Sequence, residues 1–199
     1  DDKMLQATQA GTQEFYYGSF APISGRVKEL QIFDFPFMFN DYDEVDAVFL
    51  GPIGDKMFEM MKPLNLIGLA WAETGFRQLS NSKREIKTVA DLKGLKIRVM
   101  QNPVALETWK TLGANAVPMP FPELYSAMET KTVDGQENPE TTVDASKFYE
   151  VQKFFSATRH IYNPQMVMVS KKFWDSLSAD EKKIFEEAMV EARDVQRKA

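Results

Sequence analysis

The stretch Lys96-Ile97-Arg98-Val99-Met100, continued by Pro103 and, beyond Gly113, by Ala116-Val117-Pro118-Met119, decides the fold. Lys96 to Met100 reads as a short apolar strand. Pro103 suits the first turn of a helix, where its fixed φ is an advantage and its missing N–H has no partner to lose, and the helix runs to Leu112 until Gly113 closes it. Ala116 to Met119 forms the next strand. Strand, helix and strand in that order build a parallel pair in one sheet, which makes the chain an α/β protein.

Upstream, Met4 to Ala10 is helical up to Gly11, and Glu14 to Tyr17 is a short aromatic strand. Ile32 to Phe39 (IFDFPFMF) is broken by Pro36 and reads as a buried, irregular connector. Helices over Asp41 to Leu50 and Ile53 to Lys62 flank Gly51-Pro52, and a buried strand covers Leu64 to Trp71. Thr88 to Gly94 forms a helical turn closed by glycine. Downstream, Phe121 to Glu129 is helical, Val133-Asp134-Gly135 turns the chain into Gln136-Glu137-Asn138-Pro139, a polar helix follows from Thr141, and Gln165 to Val169 is a further strand. Ser178-Ala179-Asp180-Glu181 has capping-box spacing and opens the last helix, whose stripe of Ile184, Phe185, Ala188, Met189, Ala192 and Val195 is expected to pack on the core.

With 44% hydrophobic residues among 199, the chain can bury a sizeable core. Its 29 acidic against 24 basic side chains give a net charge of −5, so no basic field exists to attract nucleic acid or anionic lipid. Cysteine is absent, which removes thiolate catalysis and disulfides. No run approaches the roughly 18 apolar residues that span a bilayer. The opening Asp1-Asp2-Lys3-Met4 is not a signal peptide, and the end at Val195 to Ala199 falls inside a helical pattern, as in a piece of a longer protein.

Catalytic motifs are scarce: the single histidine is His160, and neither a nucleophile elbow nor a phosphate loop occurs. Asp41, Asp43, Glu44 and Asp46 resemble part of a calcium loop but lack its glycine and terminal glutamate, so a solvated helix start is favoured and no metal or cofactor is expected. Arg98 differs, because it sits in an apolar strand near the end where open α/β sheets place ligands. A guanidinium fork matches a carboxylate, although local sequence alone favours an exposed edge-strand arginine. Arg77 carries the same ambiguity. Asn138 could donate an amide N–H to a carboxylate or simply cap a turn, and Phe121 could wall a pocket or fill the core.

Taken together, Asp34-Phe35-Pro36-Phe37-Met38-Phe39, Gly75-Phe76-Arg77-Gln78-Leu79-Ser80-Asn81, Asp91 to Val99 and Val133-Asp134-Gly135-Gln136-Glu137-Asn138-Pro139, followed by Lys147 to Lys153, resemble the DctP-type substrate-binding proteins of the tripartite ATP-independent periplasmic (TRAP) transporters. The match runs over essentially the whole chain. It implies a two-lobed α/β clamshell with crossing hinge strands, truncated at both ends because family members carry a first strand and helix before the equivalent of Asp1 and further helices after Ala199. Lobe one would hold residues 1–74 and 165–199, and lobe two residues 75–164.

The resemblance also implies that Arg98 pairs with the carboxylate of a small organic acid, with Arg77 as a second ligand-facing arginine, Asn138 as a ligand amide and Phe121 as an aromatic wall. Ser19, Glu73, Gln101 and Gln165 match positions that vary with substrate. Ser19 and the run from Glu73 to Arg77 favour a sugar acid over a C4-dicarboxylate. Arg159 departs from the family pattern, which has asparagine there, so no ligand contact carries over to that loop. The implied role is periplasmic capture and delivery to the small and large TRAP membrane subunits, without catalysis. The alternative is an extracytoplasmic sensor, and an enzyme would need Glu73 or Glu137 as its base.

Overall fold

A computed structural model describes residues 2–198; Asp1 and Ala199, which the sequence reading assigns to lobe one, lie outside the described residues. The chain divides into two compact units, one formed by residues 1–20, 39–73 and 164–199 and the other by 21–38 and 74–163. The connector before Phe39 therefore groups with the second unit and not, as a division at residue 74 would have it, with the first. No described helix is long and apolar enough to cross a membrane.

The first unit begins with α1 (Asp2–Ala10), which ends where Gly11 takes φ 71°, and β1 (Phe15–Ser19). A one-turn helix, α2 (Ala21–Ser24), then opens the connector. Asp41 caps α3 (Tyr42–Phe49) by accepting from the Glu44 N–H at 3.0 Å, which is the solvated helix start expected there. Pro52 opens α4 (Pro52–Met61). β2 (Leu66–Asn81) starts in this unit, and its Trp71 gathers the aromatic core: Phe58 stacks on it at 4.6 Å and Phe49 meets it edge-on at 4.9 Å. Gly68 makes that stack possible, since a Cβ there would stand 2.0 Å from the Phe58 ring.

In the second unit, β2 runs on through Asn81 and pairs antiparallel with β5 (Gly135–Pro139). Here β3 (Lys96–Val99), α5 (Pro103–Thr111) and β4 (Asn115–Pro118) form the expected parallel unit, with Arg98 opposite Val117. β3 also pairs parallel with β5, setting Arg98 opposite Gln136. α6 (Leu124–Glu129) and α7 (Glu140–Ala145) belong to one apolar cluster with Val133 and Phe148, while Leu79, Ile97, Val99 and Trp109 form another with Leu92 and Leu95. Gly135 has to be glycine, because a Cβ would stand 2.3 Å from the Ser80 carbonyl oxygen on the neighbouring strand.

β6 (Phe154–Ser170) passes from the second unit back into the first, where it pairs antiparallel with β1 and places Gln165 opposite Ser19. α8 (Lys171–Ser176) and α9 (Ala179–Gln196) follow, α9 opened by the expected capping box of Ser178 and Glu181. The strands are hydrogen-bonded in the order β1-β6-β2-β5-β3-β4.

Several expectations are corrected. Gln136 to Pro139 is a strand and not an Asn-Pro turn: its residues are all buried and pair with β2, and Gln136 pairs with β3 as well. The strand from Leu64 to Trp71 is the start of a 16-residue strand, because the polar side chains that follow are satisfied internally and need no surface. Likewise Gln165 to Val169 is the end of a 17-residue strand. In the connector a 3-10 helix spans Lys28–Asp34, and it is the aspartate that is buried while Phe35, Phe37 and Met38 are exposed. No residue of α9 is buried: Phe185 meets the rings of Phe15 and Phe173, but Ile184 and Val195 remain exposed. An apolar stripe records what a helix can bury and not whether a neighbour is present.

Asp34 accepts from Ser24 Oγ and, at 2.8 Å, from Asn102 Nδ2, while Asn102 Oδ1 caps α5 through the Val104 and Ala105 N–H groups. Burial pushes the Asp34 carboxyl up from 3.8 to about 6, against the pull of those hydrogen bonds and of Arg77. A raised folded-state pKa gives stability that is complete below about pH 4 and lost as pH rises through about 6. Asp34→Asn keeps an acceptor oxygen and removes this dependence. Its stability relative to the parent should therefore rise by up to about 3 kcal/mol between pH 4 and 7, read from chemical denaturation at both pH values.

Candidate functional site

The second unit buries two guanidinium groups, and they have different surroundings. Arg77 extends from β2 and is 1% exposed. Its Nε pairs with Glu137 Oε2, its Nη2 donates to Glu137 Oε1 at 2.9 Å and to the Glu137 carbonyl, and Nη2 also reaches Asn138 Oδ1 at 3.1 Å. Glu137 is held on its other side by His160, whose Nε2 lies 3.1 Å from Oε2 and whose Nδ1 lies 2.8 Å from Thr158 Oγ1. Trp109 packs edge-on against the imidazole at 5.2 Å. Burial raises the Glu137 pKa, but the Arg77 charge and the bonds from His160 and Arg77 outweigh it, so the carboxyl ionises well below the usual range. Arg77 is thus neutralised from within.

Arg98, 3% exposed on β3, is not. Its Nε donates to the Met119 carbonyl at 2.9 Å, just past the end of β4, and its guanidinium carbon lies 6.0 Å from the centre of the Phe121 ring. Among the described residues no carboxylate lies within ion-pairing distance of it, and no acceptor lies within hydrogen-bond reach of its two terminal nitrogens. Burial and the nearby Arg77 charge pull its pKa down, partly offset by Glu137, to about 10, so it remains a cation at neutral pH. Glu137 pairs with Arg77 and not with Arg98, so among the described residues Arg98 has no ion-pair partner. A buried charge without a partner is costly, and an incoming anion removes that cost.

Phe121 is partly exposed, leans on Phe148 at 5.9 Å and borders Arg98 as an aromatic wall would. Asn138 is buried two residues beyond Gln136, which is the register partner of Arg98, so all three side chains project from the same face of the sheet. Gln101 is exposed just after β3. The remaining three candidates belong to the first unit. Ser19 faces Gln165 across β1 and β6. Glu73 is tied to the end of α9: Arg197 Nε lies 3.2 Å from its Oε1, and Gln196 bonds its backbone on both sides. Arg159 takes φ 45°, a region where asparagine is the favoured side chain after glycine, and its guanidinium lies 4.3 Å from the centre of the Phe76 ring.

These arrangements match a known architecture. The family model for bacterial extracellular solute-binding proteins, family 7, matches residues 1–199. The chain belongs to this family. A solute-binding protein of Verminephrobacter eiseniae is 42% identical over 184 residues, covering 92% of this chain and 55% of the relative. The 2,3-diketo-L-gulonate-binding periplasmic protein of Escherichia coli is 37% identical over 195 residues, covering 98% of this chain and 60% of that one. Among solved structures, the sugar acid binding protein of Advenella mimigardefordensis, in complex with galactonate, superposes with a TM-score of 0.97 at 45% identity, covering 100% of this chain and 64% of the other. The chain thus spans about three fifths of the length of these relatives.

Sequence reasoning brought Arg77 and Asn138 forward, and the structure joins them to each other through a hydrogen bond. It missed that Glu137 occupies the Arg77 fork, and it missed the carbonyl of Met119 as the tether of Arg98. The signal was available in the alternation of β5, where Glu137 points to one face and Gln136 and Asn138 to the other, but only once the segment is read as a strand. Glu137→Gln should leave Arg77 buried without a counter-charge and destabilise the fold by about 3–5 kcal/mol in urea titrations, with part of the loss recovered in the Arg77→Met/Glu137→Gln double variant.

Proposed function

We propose that this chain forms part of an extracytoplasmic TRAP solute-binding protein that captures a small organic acid through a salt bridge between Arg98 and the ligand carboxylate. One observation carries this reading: Arg98 is buried, charged and without an ion-paired carboxylate among the described residues, while the neighbouring Arg77 is paired with Glu137. Its two terminal nitrogens provide the donor pair that a carboxylate accepts in fork geometry. Phe121 lines one side of the cation and favours a partly apolar surface on the guest.

Names of relatives support the ligand class. The galactonate complex from Advenella and a TRAP solute-binding protein of a Polaromonas species bound to D-erythronate, 43% identical, both concern sugar acids. A C4-dicarboxylate-binding relative from Vibrio cholerae is 35% identical. We take a sugar acid as the ligand class of this chain, with C4-dicarboxylates as the second class. The protein would work in the periplasm and release its ligand to the small and large TRAP membrane subunits. Neither a cofactor nor a covalent step enters this cycle: capture needs only a desolvated ion pair, and Ser19, Glu73, Gln101 and Gln165 would adjust selectivity among acids.

Calorimetric titration of the intact protein with galactonate, erythronate, glucuronate and succinate tests the proposal. At least one acid should bind with a carboxylate-dependent heat, and Arg98→Ala should lower that affinity by about 2–5 kcal/mol, because one partner of a buried charge pair is then left alone. Unchanged affinity in Arg98→Ala would remove the basis of the reading.

A further inference from the structure

A second group of buried polar side chains lies on the Arg98 face of the sheet, and ionic pairing does not explain it. Ser80 on β2, Gln136 and Asn138 on β5, and Gln152 before β6 are each 8% exposed or less. They form one hydrogen-bonded chain. Asn138 Nδ2 donates to Gln136 Oε1 at 2.5 Å, Gln136 Nε2 donates to Ser80 Oγ at 2.8 Å, Ser80 Oγ donates to Gln152 Oε1 at 3.2 Å, and Gln152 Nε2 donates to the Val151 carbonyl at 3.1 Å.

The direction of this chain is not arbitrary. A guanidinium can only donate, so the contact from Arg77 Nη2 obliges Asn138 to present Oδ1 to it and Nδ2 to Gln136. At the other end the Val151 carbonyl can only accept, which obliges Gln152 to present Nε2 to it and Oε1 to Ser80. Each member in between has its orientation fixed from both sides. The Asn138 amide consequently has its oxygen turned toward Arg77, where it accepts one bond, and one of its two N–H bonds given to Gln136. The second N–H meets no acceptor among the described residues.

We propose that Gln136, Ser80 and Gln152 are positioning residues of the ligand site, which lock the orientation of the Asn138 amide so that its second N–H is held for a guest. This inference rests on the reading of Arg98 as the carboxylate anchor, and it adds to that reading the polarity of the adjoining subsite. The held N–H calls for an acceptor oxygen on the guest, which a carboxylate oxygen or a neighbouring hydroxyl or keto oxygen supplies. A satisfied buried network of this kind is also the physical means of holding an amide against flipping, since reversing Asn138 would set an N–H against the Arg77 guanidinium.

A double-mutant cycle on the intact protein tests it, with galactonate as the probe. Gln136→Leu should weaken galactonate binding about fivefold, the worth of one neutral hydrogen bond, and the same substitution in an Asn138→Ala background should have no further effect. Equal losses in the two backgrounds, or no loss in Gln136→Leu, would overturn the proposal. A second readout needs no ligand and uses a milder variant: in 15N NMR spectra the Asn138 side-chain amide should exchange with solvent slowly in the parent and at least tenfold faster in Ser80→Ala, and an unchanged rate counts against the relay. If Arg98→Ala binds galactonate as the parent does, the anchor reading fails and the relay is judged on the amide exchange alone.

Discussion

Two guanidinium groups lie buried in the second unit, and Glu137 pairs with only one of them. Glu137 engages Arg77 through both of its oxygens and its own carbonyl, and His160 closes the remaining side. Arg98 receives only a carbonyl at Nε. The unequal division fixes most of what the site can do. Had Glu137 bridged the two cations, the terminal nitrogens of Arg98 would have been occupied. With Arg77 fully compensated, the positive potential concentrates on one guanidinium whose terminal nitrogens are open.

The same ion pair organises the strands. Arg77 and Glu137 lie on β2 and β5, whose antiparallel register sets Gly135 beneath Asn81 and brings the two backbones so close at Ser80 that only glycine fits. β5 in turn pairs with β3 and fixes Arg98 beside Gln136. A buried ion pair between strands contributes little net stability compared with an apolar pair, because desolvation offsets attraction, but it penalises any other register heavily. Arg77 and Glu137 are therefore better understood as setting the alignment on which the Arg98 face depends than as holding the fold together.

Some of this was legible in the residue pattern. Pro103 and Gly113 frame α5 as their backbone preferences require, and the capping box at Ser178 forms as its spacing implies. Arg98 within an apolar strand pointed to an anion, and the family resemblance turned that possibility into an expectation. What stayed hidden were the long strands. Gly75 to Asn81 and Gly135 to Pro139 carry arginine, glutamine, serine, glutamate and asparagine, and such composition ordinarily marks a turn or a surface. These segments are buried because their side chains satisfy one another, and that pairing joins residues some sixty positions apart.

The sequence by itself determined the α/β class and most of the helix boundaries, because these rest on local backbone preferences and on apolar periodicity. Only the tertiary structure decided which arginine is compensated and which is open, and which way the Asn138 amide faces. It also decided that the apolar stripe of α9 is covered only in part, with Phe185 packed and Ile184 and Val195 exposed. Each of these depends on a partner distant in sequence, and a charge or an apolar surface acquires its meaning from what stands opposite it in space.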